Sequence, residues 1–72
     1  MSFEKKDLLE IAQTLIDQKF HDQADKLLFD ISQNFGIDPE ISFLSGLNQY
    51  ENGNTSLGKN YLENSLMLAR AI

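Results

Sequence analysis

The 72-residue sequence contains no Cys, no Trp, a single His and a single Pro. Without thiols there is neither a disulfide to staple the fold nor a thiolate to hold a metal, and one imidazole, His21, cannot build a structural zinc site. The absence matters because a chain this short buries only about 60% of the surface it exposes when unfolded. With no staple, the remaining support for a thin core is a partner chain. Basic residues are also scarce: six Lys and Arg face eleven Asp and Glu, for a formal charge of −5. Phosphate contact needs a concentrated Lys/Arg surface, so nucleic acid and anionic membrane are disfavoured partners. No stretch approaches the roughly 18 apolar residues of a membrane span. Met1-Ser2-Phe3-Glu4-Lys5-Lys6-Asp7 carries charges where a signal peptide needs an apolar core, which predicts a cytoplasmic protein. Asn54-Thr55-Ser56 fits the glycosylation pattern but, without export, reads as a turn.

What is present is helical periodicity. Leu8, Leu9, Ile11, Ala12, Leu15 and Ile16 recur at three- and four-residue intervals, predicting a helix over about 4–17 with Ser2 as a candidate N-cap. Ala24, Leu27, Leu28, Ile31 and Phe35 predict a second helix over about 21–35, which Gly36 ends in a left-handed C′ position. Asp38-Pro39-Glu40 combines a capping carboxylate, a residue suited to the first helical turn and a charge that complements the dipole. A third helix is predicted from there to about 52, bearing Ile41, Phe43, Leu44, Leu47 and Tyr50. Asn52-Gly53-Asn54 is a turn cluster. After it Asn54 or Thr55 caps a fourth helix, about 55–70, bearing Leu57, Tyr61, Leu62, Leu66, Met67 and Ala69. No strand-like alternation is sustained. The expected fold is all-α, two antiparallel helix hairpins in one domain spanning 4–72.

The two halves are related by an offset of 34 residues, pairing Lys5 with Pro39, Ala12 with Gly46, Phe20 with Asn54, Ala24 with Gly58 and Leu28 with Leu62. Ala12, Ala24, Gly46 and Gly58 are then expected where paired helices approach closely. A 34-residue helical repeat with small residues so placed, together with Leu44-Ser45-Gly46, Tyr50, Gly53, Tyr61 and Leu62, resembles the tetratricopeptide repeat. The repeats would cover about 5–38 and 39–72, as a fragment of an α-α superhelix. Ser42 stands where that family prefers a large aromatic, Lys19 where it prefers Gly, and Ser65 where it prefers Ala.

The resemblance implies a concave groove lined by the first helix of each pair, here Leu9, Gln13 and Ile16, then Phe43, Leu47 and Tyr50. Family members that grip a peptide's terminal carboxylate place Lys and Asn in that groove; this chain does not. A mostly apolar groove suits an amphipathic helix or hydrophobic segment of a partner, although the same residues could instead fill the chain's own core. Repeat arrays finish on a capping helix with a polar outer face. Leu66-Met67-Leu68-Ala69-Arg70-Ala71-Ile72 is more apolar than that, making Leu66 and Met67 a second candidate contact surface.

Small, acidic, cytoplasmic proteins of this repeat type are similar to the needle-subunit chaperones of bacterial type III secretion systems. The resemblance implies a needle subunit and a coiled-coil co-chaperone as partners; the alternative is a generic repeat adaptor or a self-associating scaffold. Neither catalysis nor a cofactor is expected. His21 reads as a turn residue, and Asp17, Asp22 and Asp25 as a solvated cluster without the spacing of a calcium loop. Gly46, Gly53 and Gly58 are too scattered to cradle phosphate.

Overall fold

The computed structural model describes residues 4–36 and 38–71, Ala71 by its backbone alone. They form four helices: α1 (Lys5–Asp17), α2 (His21–Phe35), α3 (Pro39–Glu51) and α4 (Thr55–Ala71). Each helix of the second pair begins 34 residues after its counterpart, Pro39 after Lys5 and Thr55 after His21. α1 pairs with α2 and α3 with α4; α3 also rests on α2 and α1, whereas α4 packs against α3 alone among the described residues.

Both hairpin turns are built the same way. After α1 the Phe20 N–H donates to Leu15 O (2.8 Å) and the Lys19 N–H to Ile16 O (3.0 Å). After α3 the Asn54 N–H donates to Gln49 O (2.8 Å) and the Gly53 N–H to Tyr50 O (3.2 Å). These are the paired bonds of a Schellman ending, which puts the residue after the cap at positive φ. Gly53 takes φ 93° freely, but Lys19 must take φ 68° with a side chain attached. The departure at Lys19 is thus one of side chain and not of backbone.

Gly36 differs from expectation. Its φ of 80° is positive, but with ψ −158° it lies outside the left-handed helical well. That conformation is open essentially to Gly alone, so the residue is required for a sharper reason than a simple cap. The start of α3 is capped as anticipated, Asp38 Oδ1 accepting from Glu40 N (2.8 Å) and Ile41 N (3.3 Å). Ser2 lies outside the described residues, as do Ile37 of the linker and Ile72; α1 is preceded by Glu4, which makes no side-chain cap bond.

The core consists of Leu9, Ala12, Ile16, Ala24, Leu28, Ile31, Ile41 and Leu44, with Leu8, Leu15, Leu27 and Leu47 packed against it. All come from the first three helices. The only fully buried residue of α4 among those described is Gly58. A Cβ on Gly58 would lie 2.7 Å from Tyr50 N and 2.8 Å from Gly46 O, and one on Gly46 would lie 2.9 Å from Gly58 O. The backbones of α3 and α4 therefore touch, and at the equivalent positions α1 and α2 carry Ala12 and Ala24, both fully buried.

Candidate interaction groove and the polar bridge beneath it

A groove of about 330 Å³ runs between α1 and α3, with Leu9, Phe43 and Leu44 as its apolar lining and Lys6, Glu10, Gln13 and Glu40 around them. It forms because α1 and α3 lie side by side, each sending residues at three- and four-residue spacing to the shared face. Leu9 is 5% exposed and serves mainly the core, whereas Phe43 is 46% exposed and offers an aromatic face. Gln13 is half-buried and donates to Asp17 Oδ1 (3.1 Å) along its own helix.

The rest of the expected stripe divides. Ile16 is completely buried, so it belongs to the core and is out of a partner's reach, because the α1–α2 hairpin closes over it. Leu47 is half-buried against the core, and Tyr50 is 54% exposed. Leu66 and Met67, at 54% and 66%, stand on the side of α4 that meets no other helix, while Leu68 on the opposite side is half-buried.

Deeper in the molecule lies a set of polar contacts that apolar periodicity did not disclose. Asn48 is fully buried. Its amide donates to His21 O (2.9 Å) and Asp25 Oδ1 (2.9 Å), and its carbonyl oxygen lies 2.7 Å from His21 Nδ1. Both amide hydrogens being committed, the ring must be the donor in the last contact, so His21 carries its proton on Nδ1. Gln49 Nε2 donates to Asp25 Oδ2 (2.6 Å), and Asn54 Nδ2 to Gln49 Oε1 (2.8 Å). His21 is accordingly no surface turn residue but the half-buried first residue of α2, and Asp25 is the acceptor that joins α2 to α3. The signal was present: Ile41, Leu44 and Asn48 share one helical stripe, so position 48 falls on the core face whatever its polarity. No buried side-chain polar atom among the described residues lacks a partner.

Comparison with known proteins returns nothing: no family model, no curated protein and no solved structure matches the chain. What the chain can bind has to be read from its own surfaces.

At the other end of α3, Lys5 Nζ donates to Asp38 Oδ2, tying the start of α1 to the cap of α3. This bond, opposed by burial and aided by the Glu40 and Ile41 N–H groups, holds the Asp38 carboxyl below its ordinary value. Ser65 Oγ donates to Pro39 O (2.7 Å), so the hydroxyl at that position fastens α4 to the beginning of α3. A second depression, about 560 Å³, lies between the end of α2 and α4, with Ser32, Gly36, Asp38 and Ile41 on one side and Asn64 and Leu68 on the other. Among the described residues no group of three His, Asp or Glu side chains converges as a metal would require.

Proposed function

We propose that this chain is a non-enzymatic protein-binding module that holds an amphipathic or hydrophobic helix of a partner across the α1/α3 groove. The observation that supports this most is Phe43, a large aromatic left half open in a groove whose apolar patch of Leu9, Phe43 and Leu44 is bordered by Lys6, Glu10, Gln13 and Glu40. Such anchors carry a disproportionate share of interface energy. The polar bridge supports it by fixing α3 relative to α2, and the Lys5–Asp38 pair by tying α3 to α1, both without using the apolar groove residues. The only imidazole, His21, and the half-buried carboxylates Asp25 and Asp38 are spent on structural contacts, which weighs against catalysis. Within this reading the tetratricopeptide-like repeat gives the scaffold. A cytoplasmic chaperone of the type III needle-subunit kind gives the partner class, on the strength of small size, acidity and repeat spacing.

The test is Phe43→Ala, measured for partner capture and thermal melting together. The variant should keep its melting temperature to within the small loss a half-exposed ring implies, and should lose about 2 kcal/mol or more of binding. If melting collapses while the residual folded protein still captures its partner normally, Phe43 belongs to the core and the groove reading fails.

A further inference from the structure

The 34-residue equivalence makes one interface visible twice, once closed and once open. The closed copy is α2 on α3: the α2 stripe of His21, Asp25, Leu28 and Ser32 covers the α3 stripe of Asp38, Ile41, Ser45 and Asn48. In it Asp25 and His21 meet Asn48, while Ser32 and Gly36 lie beside Asp38 and Ile41. The repeat equivalents of the α2 stripe are Thr55, Lys59, Leu62 and Leu66 on α4, followed by Arg70 in the place of Gly36. Those of the α3 stripe are Glu4, Asp7, Ile11 and Thr14 on α1. Leu62 is half-buried against Gly46, but the rest of both stripes is open: Leu66 is 54% and Ile11 44% exposed, and Thr55, Lys59, Arg70, Glu4, Asp7 and Thr14 are all exposed.

The two open stripes also complement each other. Set in the register of the closed interface, where Ser32 and Gly36 lie beside Asp38, Ile41 and Ser42, Leu66 falls beside Asp7 and Leu8, Arg70 beside Glu4, and Ile11 opposite Leu62. α4 is the one helix of the four with more basic than acidic residues, Lys59 and Arg70 against Glu63, in a chain whose formal charge is −5. Neither Lys59 nor Arg70 has an ion-pair partner among the described residues. The same register explains a further disparity, for Ile16 is fully buried and its equivalent Tyr50 is 54% exposed, as expected of a position that the next helix pair would cover.

We infer that the α4 face binds the α1 face of a second copy of this chain, continuing the repeat from one molecule into the next. The contact is heterologous, with different surfaces meeting, so it leaves one face of each kind free at the ends and propagates. This goes beyond the groove reading and uses different residues.

Sedimentation velocity on the purified chain across a concentration series tests it. The mass should rise with concentration past the dimer, and the rise should weaken in high salt, which screens the Arg70 contacts. Ile11→Lys spoils one face, set against Leu62 and Lys59, and Leu66→Glu the other, set against Asp7 and Glu4. Each variant alone should remain monomeric with helix content unchanged by circular dichroism, weakening association by about tenfold or more as a charge placed against an apolar or like-charged surface does. An equimolar mixture should form a dimer and stop there, since each variant retains the face the other lacks. A wild-type chain that is monomeric throughout overturns the inference, and so do a closed dimer that either variant leaves intact and a mixture that stays monomeric.

Discussion

The two hairpins share spacing and turn geometry, yet the first is held by interlocked buried side chains and the second by close backbone approach, with Tyr61 and Leu62 laid over Gly46. In the first, Leu9, Ala12, Ile16, Ala24, Leu28 and Ile31 interlock as a buried apolar cluster. In the second, Gly46 and Gly58 let α3 and α4 come into backbone contact, and α4 adds no side chain to the core. The difference follows from position: the first hairpin is covered by the second, and nothing among the described residues covers α4. A helix with one neighbour can bury little apolar surface, so close approach replaces bulk, and Tyr61, Leu66 and Met67 are left at the surface.

The largest expected effect falls on the bridge that joins the hairpins. Asn48→Leu removes the partner of His21 Nδ1 and of Asp25 Oδ1, both half-buried, and should cost about 1–3 kcal/mol, read by urea denaturation. Wild-type stability in that variant would mean that the hairpins are held together by apolar contact alone. Next is Gly58→Ala, which gains about 1 kcal/mol of helix propensity but forces a methyl against Tyr50 N and Gly46 O. A net loss of about 1–3 kcal/mol is expected from the overpacking, and a gain in melting temperature would place that face in open space.

A smaller effect belongs to the linker between the hairpins. Asp38→Ala should cost about 1 kcal/mol by removing the cap of α3. Because the folded-state pKa of Asp38 is depressed below the ordinary 3.8, its charge stabilises the fold above that value, and the contribution fades as pH falls through the lowered folded value. Melting curves of wild type and Asp38→Asn should therefore converge on acidification from pH 7 and not on going alkaline. The smallest change is a gain: Lys19→Gly relieves a left-handed residue at about 1–2 kcal/mol. The gain is offset by about 0.5–1 kcal/mol of glycine's extra freedom when unfolded and by the exposed 3.4 Å contact of Lys19 with Glu51. A net stabilisation under about 1 kcal/mol, seen as a small rise in melting temperature, would make the two turns equivalent in energy as they are in geometry.

Helix boundaries were legible because their punctuation is local. Asp38-Pro39, Gly53 and the apolar spacing place all four helices within a residue or two, and the offset between halves placed Gly46 and Gly58 correctly at a close crossing. What periodicity misread was polar residues on apolar stripes, since treating Asn and Asp as solvated hides Asn48 and Asp25. The tetratricopeptide resemblance, for its part, implied that Leu9 and Phe43, or Ile16 and Tyr50, are matching groove positions. Each pair does match in the repeat, but burial depends on which neighbour follows, and a pattern within one helix carries no information about that.

The bridge centred on Asn48 also bears on the order of folding. Each hairpin closes over a three-residue turn, so its pairing is local and fast, whereas the Asn48 contacts to His21 and Asp25 span 27 and 23 residues of chain. Long-range contacts of this kind become worthwhile only after loop-closure entropy has been spent, and directional bonds need both helices already in place. A bridge formed late in this way is expected to act on the unfolding limb, so that Asn48→Leu should speed unfolding more than it slows folding in stopped-flow measurements. Asn48 in this sense bears more on the lifetime of the assembled repeat pair than on the rate at which it is reached.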